Sequence, residues 1–168
     1  MSSERDDLVR EAAAEMPQFV TATALFQSAV ADQIGVPVGD LHCLNLVVAG
    51  IADTPTQLAE RMGMTTGAVT KMLDRMERQR LVRREHDQRD RRRITVRVLA
   101  DRQAEIAGYY APMTRFFVEH IAALPDEQLR FLGEFSRTSR EVALRAAVEL
   151  RSGGNPHGTR RRGPGPPD

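Results

Sequence analysis

Residues 56–99 read TQLAERMGMTTGAVTKMLDRMERQRLVRREHDQRDRRRITVRVL, and this stretch decides the fold. Apolar residues recur at helical spacing in its first half, and a glycine separates a short helix from a longer one predicted over 66–79. Thr56 is the predicted cap of the short helix, and Thr65 or Thr66 caps the longer one. Two helices of these lengths, joined by a short turn that contains glycine, are typical of a helix-turn-helix.

The second half of the stretch predicts a β-hairpin. LVRRE at 81–85 and RITVRVL at 93–99 are short β-prone runs, and the second alternates apolar and polar side chains as strands do. The arginine-rich passage between them is then the tip of the hairpin. A helix-turn-helix followed by a two-stranded hairpin is a winged helix, so we predict a winged-helix domain over 38–100.

Helices are also predicted upstream of this stretch. An apolar stripe at 18–34 indicates a helix that either begins near Pro17 or is longer and kinks there, because proline fits a first turn and damages a helix interior. Asp40 is the predicted N-cap of a second helix over 41–50.

Downstream of the hairpin, apolar positions again recur at steps of three and four. They predict one helix over 101–124, bent by Pro112, and a last long helix over 126–150. Residues 151–168 are rich in glycine, proline and charge and have almost nothing to bury, so we predict a disordered basic tail.

Charge is distributed unevenly along the 168 residues. Residues 60–99 hold 12 Arg or Lys and 6 Asp or Glu, whereas residues 1–59 hold 2 and 8, although the formal net charge is only +1. A basic block of this kind predicts a face that binds a polyanion. The single cysteine excludes an internal disulfide framework, and no apolar run approaches the ~18 residues that span a bilayer. We therefore expect a cytoplasmic protein.

No motif in the sequence indicates catalysis. The chain has no glycine-rich phosphate loop, no nucleophile motif and no acid pair with a distinguishing context. Its His, Cys, Asp and Glu residues do not cluster at metal-ligand spacing. The sequence therefore predicts a protein that is not an enzyme and has neither a cofactor nor a metal site.

The order of these elements and the wing sequence resemble the MarR family of winged helix-turn-helix bacterial transcriptional regulators. The resemblance rests on the leucine-alanine helix, the recognition helix VTKMLDRMER and the wing DQRDRR, all within 56–99. It implies a mainly α-helical homodimer that binds a pseudo-palindromic operator in double-stranded DNA, represses, and is released by a small aromatic or lipophilic effector. It also implies that residues 1–37 and 101–150 supply N- and C-terminal dimerisation helices.

One residue departs from the family pattern beside the recognition helix. Relatives usually have glycine where this chain has Arg80. Arginine lacks the easy left-handed conformation of glycine, so the turn after the helix can differ here.

The polar face of the predicted recognition helix carries the candidate base contacts. Thr65, Thr66, Thr70 and Lys71 lie in its N-terminal half, which a DNA-reading helix presents to the major groove. Threonine can pair with a base edge or touch a thymine methyl group, and lysine can reach guanine. Arg75, one turn on, is better placed for a phosphate. The alternative for all five is an ordinary solvated helix face.

Candidate contacts outside that helix lie at the hairpin tip and before the short helix. Arg89, Arg91 and Arg92 are at the tip, and arginine can enter the narrow minor groove, where the potential is most negative. Arg92 can instead brace the turn through an ion pair, and a charged surface turn is the alternative for the whole tip. Thr56 begins a helix whose backbone N–H groups suit a phosphate, although capping explains it equally well.

Four residues are candidate walls of an effector pocket between the dimerisation helices and the winged helix: Phe19, Phe26, His42 and Asn45. For each of them, packing in the core or at an interface is the alternative. Cys43 invites a redox interpretation, but a small buried hydrophobe fits its helix better.

Two other functions fit the same features. The winged helix can be a protein-interaction module whose basic face binds an acidic partner. It can also be a DNA binder without sequence preference and without ligand control. A gel shift at physiological salt separates these functions, because only a regulator retains a specific duplex.

Overall fold

The computed structural model describes residues 2–86 and 93–151. Within these ranges the chain forms six helices and one two-stranded sheet: α1 (Ser2–Ile34), α2 (Val38–Val48), α3 (Pro55–Met62), α4 (Thr66–Arg78), β1 (Val82–His86), β2 (Ile94–Val98), α5 (Ala100–Ala122) and α6 (Asp126–Arg151). The predicted mainly α-helical winged helix-turn-helix, with long helices on both sides, is confirmed. Across the described ranges, no helix combines the length and the apolar character needed to cross a membrane.

The two strands form the base of the wing. They pair antiparallel, with Val82 opposite Val98 and His86 opposite Ile94. The Val96 N–H donates to the carbonyl of Asp53 at 2.7 Å, which anchors β2 to the loop between α2 and α3. The predicted hairpin is therefore confirmed at its base, while its tip lies outside the described residues. The predicted basic tail also lies outside them, except for its first residue, Arg151, which is the last residue of α6.

The hydrophobic core lies inside the winged helix. The inward-facing side chains of the winged helix are fully buried, among them Leu41, Cys43, Leu44, Leu58, Val69, Leu73, Met76, Leu81, Val82 and Val96. The C-terminal end of α1 closes one side of this core through Val30 and Ala31, and α5 adds Ile106. Over residues 126–150, in contrast, α6 contributes no buried side chain.

Helix α1 runs through Pro17 without a break, so of the two predicted alternatives the longer helix is confirmed and a helix that begins near Pro17 is wrong. An alanine-rich turn, Ala12–Ala14, precedes the proline and has high helix propensity. Proline removes one backbone hydrogen bond. This part of α1 is exposed, so water can bond the carbonyl that the proline leaves without a donor.

Two predicted helix caps are wrong, and both errors lie beside a proline. Helix α2 begins at Val38 with Pro37 before it, so Asp40 sits inside the first turn instead of capping it. Helix α3 is capped by Thr54, whose hydroxyl accepts from the Gln57 N–H at 3.3 Å. Thr56 is therefore an exposed first-turn residue, because the proline between these two threonines takes the first helical position, where no N–H is needed.

Candidate nucleic-acid interface

Helix α4 is amphipathic, as the sequence predicts for a recognition helix. It buries Val69, Met72, Leu73 and Met76 against the core. Thr65 caps it by accepting from the Ala68 N–H at 3.2 Å, so of the two candidate caps the structure selects Thr65.

The opposite face of α4 is open to solvent in its N-terminal half. Thr66, Thr70 and Lys71 are all exposed there. The Thr70 hydroxyl donates to the Thr66 carbonyl at 2.9 Å, which leaves its oxygen lone pairs available as acceptors. The structure thus brings these three predicted residues together on one face, with the capping Thr65 at its start.

Arg75 is part of an ion pair inside the fold. Its Nε donates to Asp40 Oδ2 at 2.9 Å and its Nη2 to Asp40 Oδ1 at 2.6 Å, a bidentate pair. The Asp40 side chain is 1% exposed and that of Arg75 is 41% exposed. The hydrogen bonds and the charge of Asp40 raise the pKa of the Arg75 guanidinium. A phosphate contact by Arg75 stays a prediction, and the phosphate would have to share this guanidinium with Asp40.

The N-terminus of α3 and the base of the wing face each other across an open groove of about 470 Å³. Its walls are Thr54, Pro55, Thr56, Gln57, Arg93 and Ile94. Arg93 Nη2 lies 3.0 Å from Asp53 Oδ1, and Arg97 Nη2 lies 3.9 Å from Asp53 Oδ2. Thr56 is the only one of these wall residues that the sequence singled out. Arg93 was not predicted as a contact, although its position in the run of arginines was an available signal.

The wing and α4 are in direct contact. Arg84 of β1 donates through Nη2 to the Thr70 carbonyl at 3.1 Å. This contact was not predicted from the sequence, although acidic residues three positions apart on α4, Asp74 and Glu77, were a visible signal. The predicted tip contacts, Arg89, Arg91 and Arg92, lie outside the described residues.

The candidate effector residues are only partly assembled. His42 and Asn45 line one cavity of about 520 Å³, whose other walls come from α1, α2, α3, α6 and the loop after α2: Gln27, Leu46, Ala49, Ile51, Arg61, Met62, Leu144 and Ala147. Asn45 Nδ2 donates to Tyr110 Oη at 3.1 Å, and the Tyr110 ring meets Phe26 edge-on at 5.3 Å. Phe19 packs elsewhere, edge-on against Phe117 at 6.4 Å.

Cys43 is fully buried in the core. Burial, and to a smaller extent the charge of Asp40, raises the pKa of its thiol from 9.0 to about 12. A thiol in this environment stays protonated near neutral pH and is a poor nucleophile. The geometry therefore favours the interpretation of Cys43 as a small buried hydrophobe.

Known proteins resemble the chain in both sequence and fold. The MarR family model matches residues 34–93, which run from the end of α1 to the base of the wing. YcgE of Bacillus subtilis (strain 168), an HTH-type transcriptional regulator, is 27% identical over 138 residues, covering 82% of this chain and 90% of YcgE.

Two solved structures share the fold. The MepR Q18P mutant from S. aureus has a TM-score of 0.57 at 17% identity and covers 80% of this chain and 94% of its own. A MarR family protein from Bacillus stearothermophilus has a TM-score of 0.52 at 19% identity and covers 84% and 94%. These two structures show the winged-helix fold, and the family model and YcgE show that the chain resembles the MarR family of winged helix-turn-helix regulators in sequence.

Proposed function

We propose that this protein is a homodimeric transcriptional regulator that binds a specific site in double-stranded DNA and represses. The observation that carries the proposal is the contact of Arg84 with the Thr70 carbonyl at 3.1 Å, because it holds the base of the wing beside the exposed half of α4. A polar helix and a basic hairpin on one surface can enter adjacent grooves of a duplex. No step of this function is catalytic.

In the proposed complex, the N-terminal half of α4 enters a major groove. Thr66, Thr70 and Lys71 are exposed there and have the side chains that read base edges. The wing reaches the neighbouring minor groove through its arginine-rich tip. Thr56 and Arg93, on the two sides of the groove between α3 and the wing, supply phosphate contacts that set the register of the protein on the duplex.

The proposed dimer is formed by the long helices in residues 1–37 and 101–150. These helices leave many large apolar side chains exposed in the isolated chain: Leu8, Val9, Met16, Phe19, Val20, Leu25, Phe116, Val118, Ile121, Phe131, Phe135, Val142, Val148 and Leu150. A set of this size is typical of a surface that a second subunit covers. A two-fold dimer would also present two recognition helices to a pseudo-palindromic operator.

The proposed effector site is the cavity of about 520 Å³ beside α2. Its mostly apolar walls suit a small aromatic or lipophilic molecule, and His42, Asn45 and Arg61 offer polar contacts. Because α3 and α6 both line it, a ligand that widens it would change the angle between the long helices and the winged helix. If the affinity of the protein for its operator stays unchanged when a series of aromatic acids is added, the effector part of the proposal is wrong.

The direct test measures binding of the full chain to a duplex selected from a random-sequence library and to a random duplex of equal length. We expect preference for the selected duplex at physiological salt and a steep loss of affinity as salt rises. Lys71→Gln should lose about tenfold or more of that preference, because a base contact contributes ~1–3 kcal/mol.

Arg130→Gln is the matched control, because it removes the same charge from an exposed position on α6. It should change neither affinity by more than about twofold, as expected for a distant surface charge. Salt-dependent binding without preference would point to a non-specific DNA binder. A chain that binds neither duplex would point to a protein-interaction module.

A further inference from the structure

Arg84 makes more contacts with the recognition helix than one hydrogen bond. Its Nη1 lies 2.7 Å from Asp74 Oδ1 and 2.9 Å from Glu77 Oε2, and its Nη2 donates to the Thr70 carbonyl at 3.1 Å. Its backbone N–H donates to Glu77 Oε1 at 3.0 Å. One residue of β1 is thus bonded to three residues of α4, and its side chain is only 24% exposed.

The spacing of the three acceptors gives these contacts a geometric consequence. Residues 70, 74 and 77 are four and three positions apart, so they form one stripe along two turns of α4. A guanidinium is planar and donates in fixed directions. When it bonds to several points along one stripe, it fixes both the position of the strand along the helix and the angle between them.

The same contacts place a positive charge beside two negative ones. Asp74 and Glu77 remain 50% and 39% exposed on the helix that we propose to enter DNA. Without a cation beside them, these carboxylates would repel nearby phosphates. Arg84 therefore has a second effect, because it neutralises acidic residues on the recognition helix.

The neighbouring residue on β1 has a different environment. Arg83 points to the other face of the strand, is 62% exposed, and forms its ion pair with Glu85 of the same strand. It carries the same charge and lies one position from Arg84, yet its ion pair does not involve α4. Arg83 is therefore a matched control.

We propose that Arg84 is a positioning residue, which fixes the wing against the recognition helix and thereby sets the geometry with which the two straddle adjacent grooves. Arg84 acts through its bonds to α4 and is not itself a DNA contact. The consequence for DNA recognition rests on the proposed function, whereas the attachment of wing to helix does not.

The attachment is tested first without DNA, by amide hydrogen exchange of the full chain. Arg84→Gln should lower protection in β1 and β2 at least tenfold, while protection in α2 and at the C-terminal end of α1 stays unchanged. Arg83→Gln should leave the protection of both strands within about twofold of wild type. Equal exchange in the two variants would overturn the proposal.

The consequence is tested by the ratio of affinities for the selected and the random duplex. In Arg84→Gln this ratio should fall about tenfold or more while binding to random DNA persists, because base contacts need the correct geometry and phosphate contacts do not. Arg83→Gln should keep the wild-type ratio. An Arg84→Gln ratio equal to that of Arg83→Gln would contradict the proposed role.

Arg84→Lys separates geometry from charge and provides a second variant if Arg84→Gln does not fold. Lysine keeps the positive charge but lacks the planar fork. We expect reduced strand protection and a reduced affinity ratio in this variant, and full recovery of both would mean that charge alone matters. If wild type shows no preference for any duplex, the proposed function fails, and the exchange measurement still decides whether Arg84 attaches the wing.

Discussion

Arg80 holds the turn between α4 and β1 in the left-handed region, with a φ of 56°. The turn keeps its hydrogen bonds, since the Arg80 N–H donates to the Glu77 carbonyl at 3.0 Å and the Leu81 N–H to the Met76 carbonyl at 2.9 Å. Arg80 stands where relatives usually have glycine, and the sequence allowed a different turn there. The structure keeps the left-handed conformation. The left-handed conformation of Arg80 costs free energy, because a residue with a side chain disfavours this region.

Arg80→Gly should consequently stabilise the fold by about 1 kcal/mol in urea unfolding, because glycine adopts this φ freely. The adjacent Gln79→Gly is the control. Its φ is −82°, so the same substitution should destabilise by about 0.5–1 kcal/mol. Two variants that change stability in the same direction would contradict the assigned strain.

Cys43 predicts a pH effect on stability. The folded pKa of its thiol is raised to about 12, above the 9.0 of a free thiol, so the stabilising contribution is complete below pH 9 and is lost as pH rises towards 12. At pH 10 the wild type should have lost roughly 1 kcal/mol more than Cys43→Ala, relative to pH 8. Parallel losses in urea unfolding at the two pH values would show that the buried thiol does not titrate in this way.

At the scale of the helix, two threonines at the start of α3 are expected to have different roles, Thr54 in stability and Thr56 in DNA binding. Thr54→Ala should cost about 1 kcal/mol of unfolding free energy, because its hydroxyl accepts the Gln57 N–H. Thr56→Ala should leave stability within about 0.5 kcal/mol and weaken DNA binding, because this exposed residue lies beside the groove at the wing base. The reverse pattern in thermal melts and binding curves would restore Thr56 as the cap.

The helices themselves could be predicted from periodicity, and their ends less well. The recognition helix was predicted over 66–79 and spans Thr66–Arg78, because four apolar residues mark its buried face. The caps near Pro37 and Pro55 were wrong and two alternatives stayed open at Pro17, since proline is compatible with a helix start, a helix interior at some cost, and a cap position. Local sequence does not decide among these roles.

The candidate site divides in the same way between local and distant signals. Thr66, Thr70 and Lys71 could be predicted because one helical period places them on one face. The partner of Arg75 could not, because Asp40 lies 35 positions earlier, on α2, and only the tertiary fold brings the two together. The contacts of Arg84 also depend on how the wing folds back onto the helix.

The whole molecule leaves its long helices largely uncovered in a single chain. On α6 the Phe131 and Phe135 rings stack at 5.9 Å and are 67% and 44% exposed. We expect sedimentation at about twice the 18.7 kDa chain mass, and a shift towards the monomer in the double variant Phe131→Glu, Phe135→Glu. Arg130→Gln should sediment as wild type, and a monomeric wild type at micromolar concentration would refute the proposed dimer.

The most direct test of the central claim is a hydroxyl-radical footprint of the full chain on a duplex selected from a random-sequence library. The proposed dimer predicts two protected segments related by two-fold symmetry, with centres about one helical turn, ~34–36 Å, apart. Protection of a single segment, or uniform protection without this spacing, would contradict the placement of two recognition helices in successive major grooves.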